Sequence, residues 1–195
     1  LRIILVPRFG VMAKSDWYPW LEKKLRDKKK FPLGEWVFCD LKPKPNEPKL
    51  AACNKRLAAL LGTDKTQLAN TLIIGHSLGA QIALRTLAAM PGGAKDGGKV
   101  GGLLCAAGWL SLDNPPKTLA QWTEKSFDEK AAKAHTKVVV NVISSNDPNQ
   151  IDTAAVTLAW RDGNLGADVI VSPNPGHVSA PEEPDVLDAV LKHFG

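Results

Sequence analysis

Residues 71–84 read Thr71-Leu-Ile-Ile-Gly75-His76-Ser77-Leu78-Gly79-Ala80-Gln-Ile-Ala-Leu84, and this stretch says most about the fold. An apolar run of strand length leads into a Gly-x-Ser-x-Gly motif, and the residues after it have the spacing of an amphipathic helix. Where a strand turns at once into a helix, the residue between them is strained, and flanking glycines leave room for the two elements to approach. We therefore predict a strand, a tight turn at Ser77 and a helix.

Apolar runs of strand length alternate with helical patterns over the rest of the chain. The predicted strands are Arg2–Val6, Trp36–Cys39, Thr71–Ile74, Gly102–Ala106, Val138–Ile143 and Asp168–Val171. The predicted helices are Trp17–Arg26, Pro48–Leu61, Leu78–Met90, Leu119–Ala134, Ile151–Trp160 and Glu183–Phe194. Strands that are apolar nearly throughout are typical of a parallel sheet buried on both faces. We expect an α/β fold with about six mostly parallel strands and helices on both faces.

Length and composition indicate one globular domain over residues 1–195. Of the 195 residues, 44% are hydrophobic, which is enough to bury a substantial core. The longest apolar runs have the length of strands, so no membrane-spanning segment is expected. The chain opens on a predicted strand without a signal-peptide pattern, and we interpret Leu1 as a trimmed start.

The charge distribution and the cysteine content indicate which classes of partner and which cellular compartment to expect. Part of the net charge of +5 lies at 28–30 and 42–44, which we interpret as ordinary solvated lysines because no nucleic-acid motif accompanies them. The three cysteines lie far apart without metal-ligand spacing, and one of them must stay unpaired. We expect a cytoplasmic protein with no nucleic-acid partner and with neither a metal nor an organic cofactor.

Ser77 is the candidate nucleophile. The turn lifts its hydroxyl above the carboxyl edge of the sheet, and the N-terminus of the next helix favours negative charge that develops on a substrate oxygen. A short motif also occurs by chance, with the serine acting only as a helix cap. Here strand, turn and helix fall in the order that the motif requires, which favours the nucleophile.

A nucleophilic serine needs a base to accept its proton, and His177 is the predicted base. It follows the strand Asp168–Val171 in a Pro-rich loop at the carboxyl edge, where the sites of open parallel sheets lie. The alternative is a surface histidine. We interpret His76, His135 and His193 as structural or solvent-facing.

The third side chain should be a carboxylate that holds the imidazole in the right tautomer. Asp147 follows the strand Val138–Ile143, and Pro148 disfavours helical geometry at Asp147. We expect Asp152 to serve the N-terminal charge of the next helix. Asp113, which follows the preceding strand, is the main alternative.

The loop after the first strand, Val6-Pro7-Arg8-Phe9-Gly10, lies at the same edge. We expect the amide of Phe9 to join that of Leu78 in an oxyanion hole. Arg8 either pairs with a charge on the substrate or is solvated, and we favour a solvated side chain. Trp109 either lines the substrate pocket or belongs to the core.

Several segments together resemble one known family. They are Val6-Pro7, 17–25, 73–80, 145–148 and Gly176-His177, and they are similar to the retinoblastoma-binding protein nine and YdeN-type serine hydrolases of the α/β-hydrolase superfamily. The resemblance covers nearly the whole chain. It implies a compact α/β-hydrolase core without the usual first two strands and without a large lid. The family's nucleophile, acid and histidine fall on Ser77, Asp147 and His177, whereas relatives are Gly-rich where this chain has Arg8 and Phe9.

The expected reaction is acyl transfer to water without a cofactor. Ser77 would attack a small carboxylic ester, thioester or amide after His177 takes its proton. Little sequence is available between the strands for a cap, so we expect small acyl groups rather than long lipids. Two other functions stay open: a catalytically weak α/β-hydrolase-fold protein that contacts a protein partner, and an enzyme that passes the acyl group to an acceptor other than water.

Overall fold

The computed structural model describes residues 1–41, 47–91, 98–112, 115–149, 152–174 and 176–195. Its strands are β1 (Arg2–Val6), β2 (Glu35–Phe38), β3 (Thr71–His76), β4 (Gly102–Ala106), β5 (Val139–Ser144) and β6 (Asp168–Ser172). They form one sheet in the order β2-β1-β3-β4-β5-β6, and every neighbouring pair is parallel. The predicted sheet is confirmed, and each predicted strand lies within about two residues of the observed one.

Helices cover both faces of the sheet. Those in the described residues are α1 (Tyr18–Asp27), α2 (Leu50–Leu61), α3 (Lys65–Ala69), α4 (Leu78–Ala88), α5 (Ala120–Thr123), α6 (Glu129–Ala134), α7 (Thr153–Arg161) and α8 (Pro184–Phe194). Successive strand residues point to opposite faces, so Ile3 and Leu5 pack with α1 and α8, while Ile4 and Val6 pack with the other helices. The sheet therefore has a hydrophobic core on each side.

The predicted helix Leu119–Ala134 is wrong as a single element. A 3₁₀ turn at Lys117–Leu119 precedes α5, and α6 begins only after Asp128, whose carboxylate accepts a hydrogen bond from the amide of Ala131 at 2.9 Å. Aspartate is a strong N-cap, so this residue starts a new helix instead of continuing the old one.

Two further aspartates cap helices. Asp152 caps α7 by accepting from the amides of Ala154 and Ala155, which places it just before the helix and supports the role expected for it. Asp64 caps α3, a short helix that the sequence analysis did not predict. The sequence signal was present, because aspartate followed three residues later by Gln67 is typical of a helix start.

The carboxyl ends of all six strands lie at one edge of the sheet, where the loops after them come together. Four described residues other than glycine have a positive φ angle, namely Asp16, Ser77, Ala107 and Val178. All four lie in segments that leave the carboxyl ends of β1, β3, β4 and β6. Such conformations are rare away from functional sites, so the strain marks this edge.

The described part of the chain shows no large lid over this edge. The segment from β4 to β5 carries the short helices α5 and α6 instead. None of the described helices is both long and apolar enough to cross a bilayer.

Candidate active site

Ser77 occupies the sharp turn between β3 and α4, as predicted. Its φ and ψ are 51° and −110°, and its amide donates to the carbonyl of Ala106 on β4 at 2.8 Å. A side chain at Gly79 would overlap the Val6 carbonyl, and one at Gly75 would come within 2.8 Å of the Ala80 backbone. The two glycines of the motif are therefore required by close packing of α4 against β1 and β3.

The structure brings Ser77, His177 and Asp147 together in one hydrogen-bonded chain. The Ser77 Oγ lies 2.7 Å from His177 Nε2, and His177 Nδ1 lies 2.7 Å from Asp147 Oδ2. A carboxylate oxygen can only accept, so Nδ1 carries a proton and Nε2 is free to accept the proton of the serine. This arrangement can activate a hydroxyl for attack on a carbonyl carbon.

The Asp147 carboxylate is buried and held on both oxygens. Its side chain is 1% exposed, and Oδ1 accepts a hydrogen bond from the amide of Asn149 at 2.9 Å while Oδ2 faces His177. The loop of Asp147 is joined to that of His177 because Asn146 Oδ1 accepts from the amide of Gly176 at 3.0 Å. Asp147 and His177 therefore belong to two loops that support each other.

Two amides are available beside the serine. Leu78 is the first residue of α4, a position at which no intrahelical carbonyl accepts from the amide. The Arg8 amide donates to the Tyr18 hydroxyl at 3.2 Å, whereas the Phe9 amide has no hydrogen-bond partner among the described residues. Phe9 and Leu78 line the same pocket as Ser77, which is compatible with the expected oxyanion hole.

Arg8 pairs with Asp16 within the protein, a partner that neither expectation for it included, while its side chain stays 31% exposed and therefore partly solvated. Its Nε and one Nη lie 2.7 and 3.0 Å from the carboxylate of Asp16, which is 8% exposed. The hydrogen bond to Asp16 raises the pKa of the Arg8 guanidinium above its ordinary value. The bidentate pair satisfies the charge that could otherwise have attracted a substrate anion.

A pocket of about 470 Å³ opens beside Ser77 and His177. Its walls come from the loop after β1, the segment after β4 and the start of the loop after β5, and include Phe9, Trp109, Leu112, Pro115, Pro116, Leu119 and Pro148. Trp109 lines this pocket, and it is also 2% exposed and part of the hydrophobic core. Aliphatic and aromatic walls around a few polar atoms are typical of sites for small molecules.

The sequence left two interpretations for His76, His135 and His193, as structural or as solvent-facing residues. Their low exposure favours the structural interpretation. His76 and His135 are buried, and His135 Nδ1 lies 3.0 Å from the carbonyl of Gly98. His193 is 15% exposed and faces Asp168 at 3.1 Å. Asp113, the alternative acid, lies outside the described residues.

His76 has contacts that the sequence did not predict. Its Nδ1 lies 2.8 Å from the Tyr18 hydroxyl, and its Nε2 lies 3.1 Å from the backbone carbonyl of His177. Burial, the neighbouring His177 and Arg8 lower the pKa of His76 well below its ordinary value. Asp16, Trp17 and Tyr18 were missed as site residues, although their position after β1, at the catalytic edge, was a usable signal.

Within the described ranges, no cluster of three or more histidine, cysteine, aspartate or glutamate side chains is arranged to hold a metal ion.

The fold and the site together define an α/β-hydrolase with a serine nucleophile turn. The model of the serine hydrolase family matches residues 3–194, and the chain belongs to that family. A search among curated proteins finds no match.

Solved structures share the fold over nearly the whole chain. The ydeN gene product from B. subtilis is 20% identical, with a TM-score of 0.80 over 99% of this chain and 98% of that one. Est1E from Butyrivibrio proteoclasticus, solved with ferulic acid, is 13% identical, with a TM-score of 0.68 over 100% of this chain and 90% of that one. The resemblance to YdeN-type serine hydrolases is thereby confirmed.

Proposed function

We propose that this serine hydrolase cleaves small, uncharged carboxylic esters, thioesters or amides through an acyl-enzyme on Ser77. His177 takes the hydroxyl proton as Ser77 Oγ attacks the carbonyl carbon, and Asp147 stabilises the imidazolium that forms. His177 then gives the proton to the leaving alcohol, thiol or amine. A water molecule, deprotonated by the same imidazole, releases the acid and restores the serine.

The main support for this proposal is a pair of hydrogen bonds of 2.7 Å each, one between Ser77 Oγ and His177 Nε2 and one between His177 Nδ1 and Asp147 Oδ2. The three side chains come from loops after β3, β5 and β6, and Ser77 and His177 are 100 residues apart. The strained Ser77 backbone supports the same conclusion, because a serine that only capped a helix would not need it.

Negative charge on the tetrahedral intermediate needs donors on the other side of the carbonyl. We assign this role to the amides of Leu78 and Phe9, which line the pocket at the N-terminus of α4. The positive end of the helix dipole adds to their effect.

The pocket walls favour a neutral substrate with an apolar acyl or leaving group. Among the described lining residues, the permanently charged side chain is Arg8, and Asp16 already binds its guanidinium. A substrate carboxylate would have to compete with Asp16 or lose its water without a partner.

We further propose one domain in a reducing compartment such as the cytoplasm. The three cysteines are buried as free thiols, and burial raises the pKa of Cys39 to about 12 and of Cys53 to about 11. Thiols that stay protonated are weak nucleophiles and weak metal ligands, so they are not expected to compete with Ser77.

A fluorophosphonate probe tests the proposal, because it reacts preferentially with an activated serine. We expect the wild type to be labelled at Ser77, and Ser77→Ala and His177→Ala to remain unlabelled. Ser145→Ala is a matched control, since Ser145 is an exposed serine in the Asp147 loop. Absence of labelling on a folded wild type would contradict the proposal and favour a binding role.

A panel of p-nitrophenyl esters then tests the substrate class. Acetate and butyrate esters should be cleaved faster than a succinate half-ester of the same length. Product that appears only when an alcohol or amine acceptor is added would indicate transfer to that acceptor instead of water.

A further inference from the structure

Each hydrogen bond around His76 has only one possible direction. The carbonyl of His177 can only accept, so His76 Nε2 carries the proton and donates to it at 3.1 Å. A neutral imidazole has one proton, so Nδ1 must accept from the Tyr18 hydroxyl at 2.8 Å. The Tyr18 oxygen in turn accepts from the amide of Arg8 at 3.2 Å. Three bonds thus run from the loop after β1 to the backbone of the candidate base.

His76 is held by burial, by ring packing and by a hydrogen bond at each ring nitrogen. It is fully buried, and its ring packs against Trp17 and Tyr18 with centroids 5.5 and 5.8 Å away. A buried neutral imidazole with both nitrogens bonded cannot rotate without breaking two hydrogen bonds in an apolar setting.

The backbone that His76 holds is strained. Val178, which follows His177, has a φ angle of 48°, an unfavourable value for a β-branched residue. Its carbonyl accepts a hydrogen bond from Trp17 Nε1 at 2.7 Å. Two successive carbonyls, those of His177 and Val178, are therefore held by side chains that lie beneath the catalytic edge. Strain of this kind persists only where surrounding contacts impose it.

We propose that His76 is a positioning residue that keeps the backbone of His177 in place, so that its imidazole reaches both Ser77 and Asp147. This inference rests on the proposed function, since it assigns His177 the role of base. His76 sits between Gly75 and Ser77, so the same residue also connects the nucleophile turn to the loop of the base. The residue before the serine of the Gly-x-Ser-x-Gly motif thereby connects two segments that lie about a hundred residues apart.

Two substitutions of His76 distinguish a role in positioning the His177 backbone from a role in core packing alone. His76→Leu removes the donor to the His177 carbonyl, whereas His76→Gln keeps an amide donor near the position of Nε2. We expect kcat on p-nitrophenyl acetate to fall roughly 10- to 100-fold in His76→Leu with KM within about twofold, because misplacement of the base affects the chemical step. In His76→Gln, most of the lost kcat should return.

His135 provides the matched control, because it is also a buried histidine with one nitrogen on a backbone carbonyl but lies at the opposite edge of the sheet. His135→Leu should lose stability while kcat stays near that of the wild type. Equal losses of kcat in His76→Leu and His135→Leu, or no rescue by glutamine, would overturn the inference.

The tautomer can be measured on the wild type and does not depend on any variant folding. Long-range ¹H–¹⁵N correlation spectra at neutral pH should show His76 as the neutral form with its proton on Nε2. A proton on Nδ1, or on both nitrogens, would contradict the inference alone. A wild type that neither hydrolyses the ester nor reacts with a fluorophosphonate would instead contradict the proposed function, and the role of His76 would fall with it.

Discussion

At the scale of single residues, the site depends on which atoms carry protons. His177 needs a proton on Nδ1 and a free Nε2, and His76 needs the reverse. The buried carboxylate of Asp147 dictates the first arrangement, and a backbone carbonyl dictates the second. Two neighbouring imidazoles, with ring centroids 5.8 Å apart, are thereby assigned opposite tautomers by groups that can only accept.

Replacing Asp147 by asparagine tests the first assignment. In Asp147→Asn the new side-chain amide can present an N–H to His177, which favours the wrong tautomer, and the charge that stabilises the imidazolium is lost. We expect kcat on p-nitrophenyl acetate to fall by roughly 10³- to 10⁴-fold while the fold is kept. Asp152→Asn is the control, because asparagine still caps α7 and kcat should not change. Similar kcat values in the two variants would argue against Asp147 as the acid.

The lowered pKa of His76 predicts how the free energy of unfolding depends on pH. Its pKa in the folded state is lowered by burial and by His177 and Arg8, and the charged or titratable groups around it are Asp16, Tyr18, Arg8 and His177. Below pH about 6.5, the unfolded chain takes up a proton there that the folded chain does not. The free energy of unfolding should therefore fall with decreasing pH, by up to about 1.4 kcal/mol per pH unit from this residue.

Urea unfolding of the wild type and of His76→Gln between pH 7.5 and 5 measures this effect. The variant should lose less stability than the wild type over that interval. Parallel curves would mean that His76 is protonated equally in the folded and unfolded chains.

At the scale of elements, α4 does more than present Ser77. Gln81 Nε2 donates to the carbonyl of Trp109 at 2.5 Å, and Arg85 donates to the carbonyls of Trp122 and Lys125 at 2.6 and 2.5 Å. The helix that follows Ser77 thus holds the segment after β4, which forms one wall of the pocket. Arg85 is buried, and burial lowers its pKa below the ordinary value for arginine.

Arg85→Met keeps most of the apolar volume but leaves the two carbonyls without their donor. We expect a loss of about 1–3 kcal/mol in the free energy of unfolding, together with weaker discrimination between acetate and butyrate esters. Arg161→Met is the control, since Arg161 is exposed on α7 and, among the described residues, pairs with its sequence neighbour Asp162. Unchanged chain-length selectivity in Arg85→Met would show that the pocket wall keeps its shape without this residue.

Strands and turns could be predicted from the sequence where neighbouring residues alone specify them. The nucleophile turn follows from Gly75 and Gly79, which packing against Val6 and Ala80 requires. The strands follow from continuous apolar runs that are buried on both faces. The division of the region Leu119–Ala134 was missed because helical spacing outweighed the cap at Asp128.

The contacts that were not predictable join residues distant in the chain. The bond from His76 to the His177 carbonyl spans 101 residues, and no local pattern specifies which partner a buried histidine will find. The pairing of Arg8 with Asp16 spans only 8 residues, but Asp16 has a positive φ angle, and composition reveals neither the pairing nor that conformation. Ser77, His177 and Asp147 could be selected because parallel strands bring their loops to one edge.

For the whole molecule, the net charge of the chain does not give the charge that a substrate meets at the pocket. The chain carries +5, yet the guanidinium at the mouth of the pocket is satisfied by Asp16. The basic surface therefore does not make the site a receptor for anions.

Asp16→Asn tests whether Asp16 neutralises Arg8 at the pocket. Asparagine has the same size as aspartate and tolerates the φ angle of 52° at this position. The variant should free the charge of Arg8 towards the pocket. We expect the ratio of kcat/KM for a succinate half-ester to that for the butyrate ester to rise roughly two- to fivefold, since the pair is partly exposed to solvent. High salt should reduce the gain, and an unchanged ratio would show that Arg8 does not face the bound acyl group.

Trapping an acyl-enzyme would show whether Ser77 carries the acyl group during turnover. The wild type, mixed with p-nitrophenyl acetate and quenched in acid within the first turnovers, should give a protein mass increased by one acetyl group, and peptide mapping should place that group on Ser77. Ser77→Ala should show no such adduct. An acetyl group on another residue, or hydrolysis by the wild type at the same rate as by Ser77→Ala, would rule out Ser77 as the nucleophile.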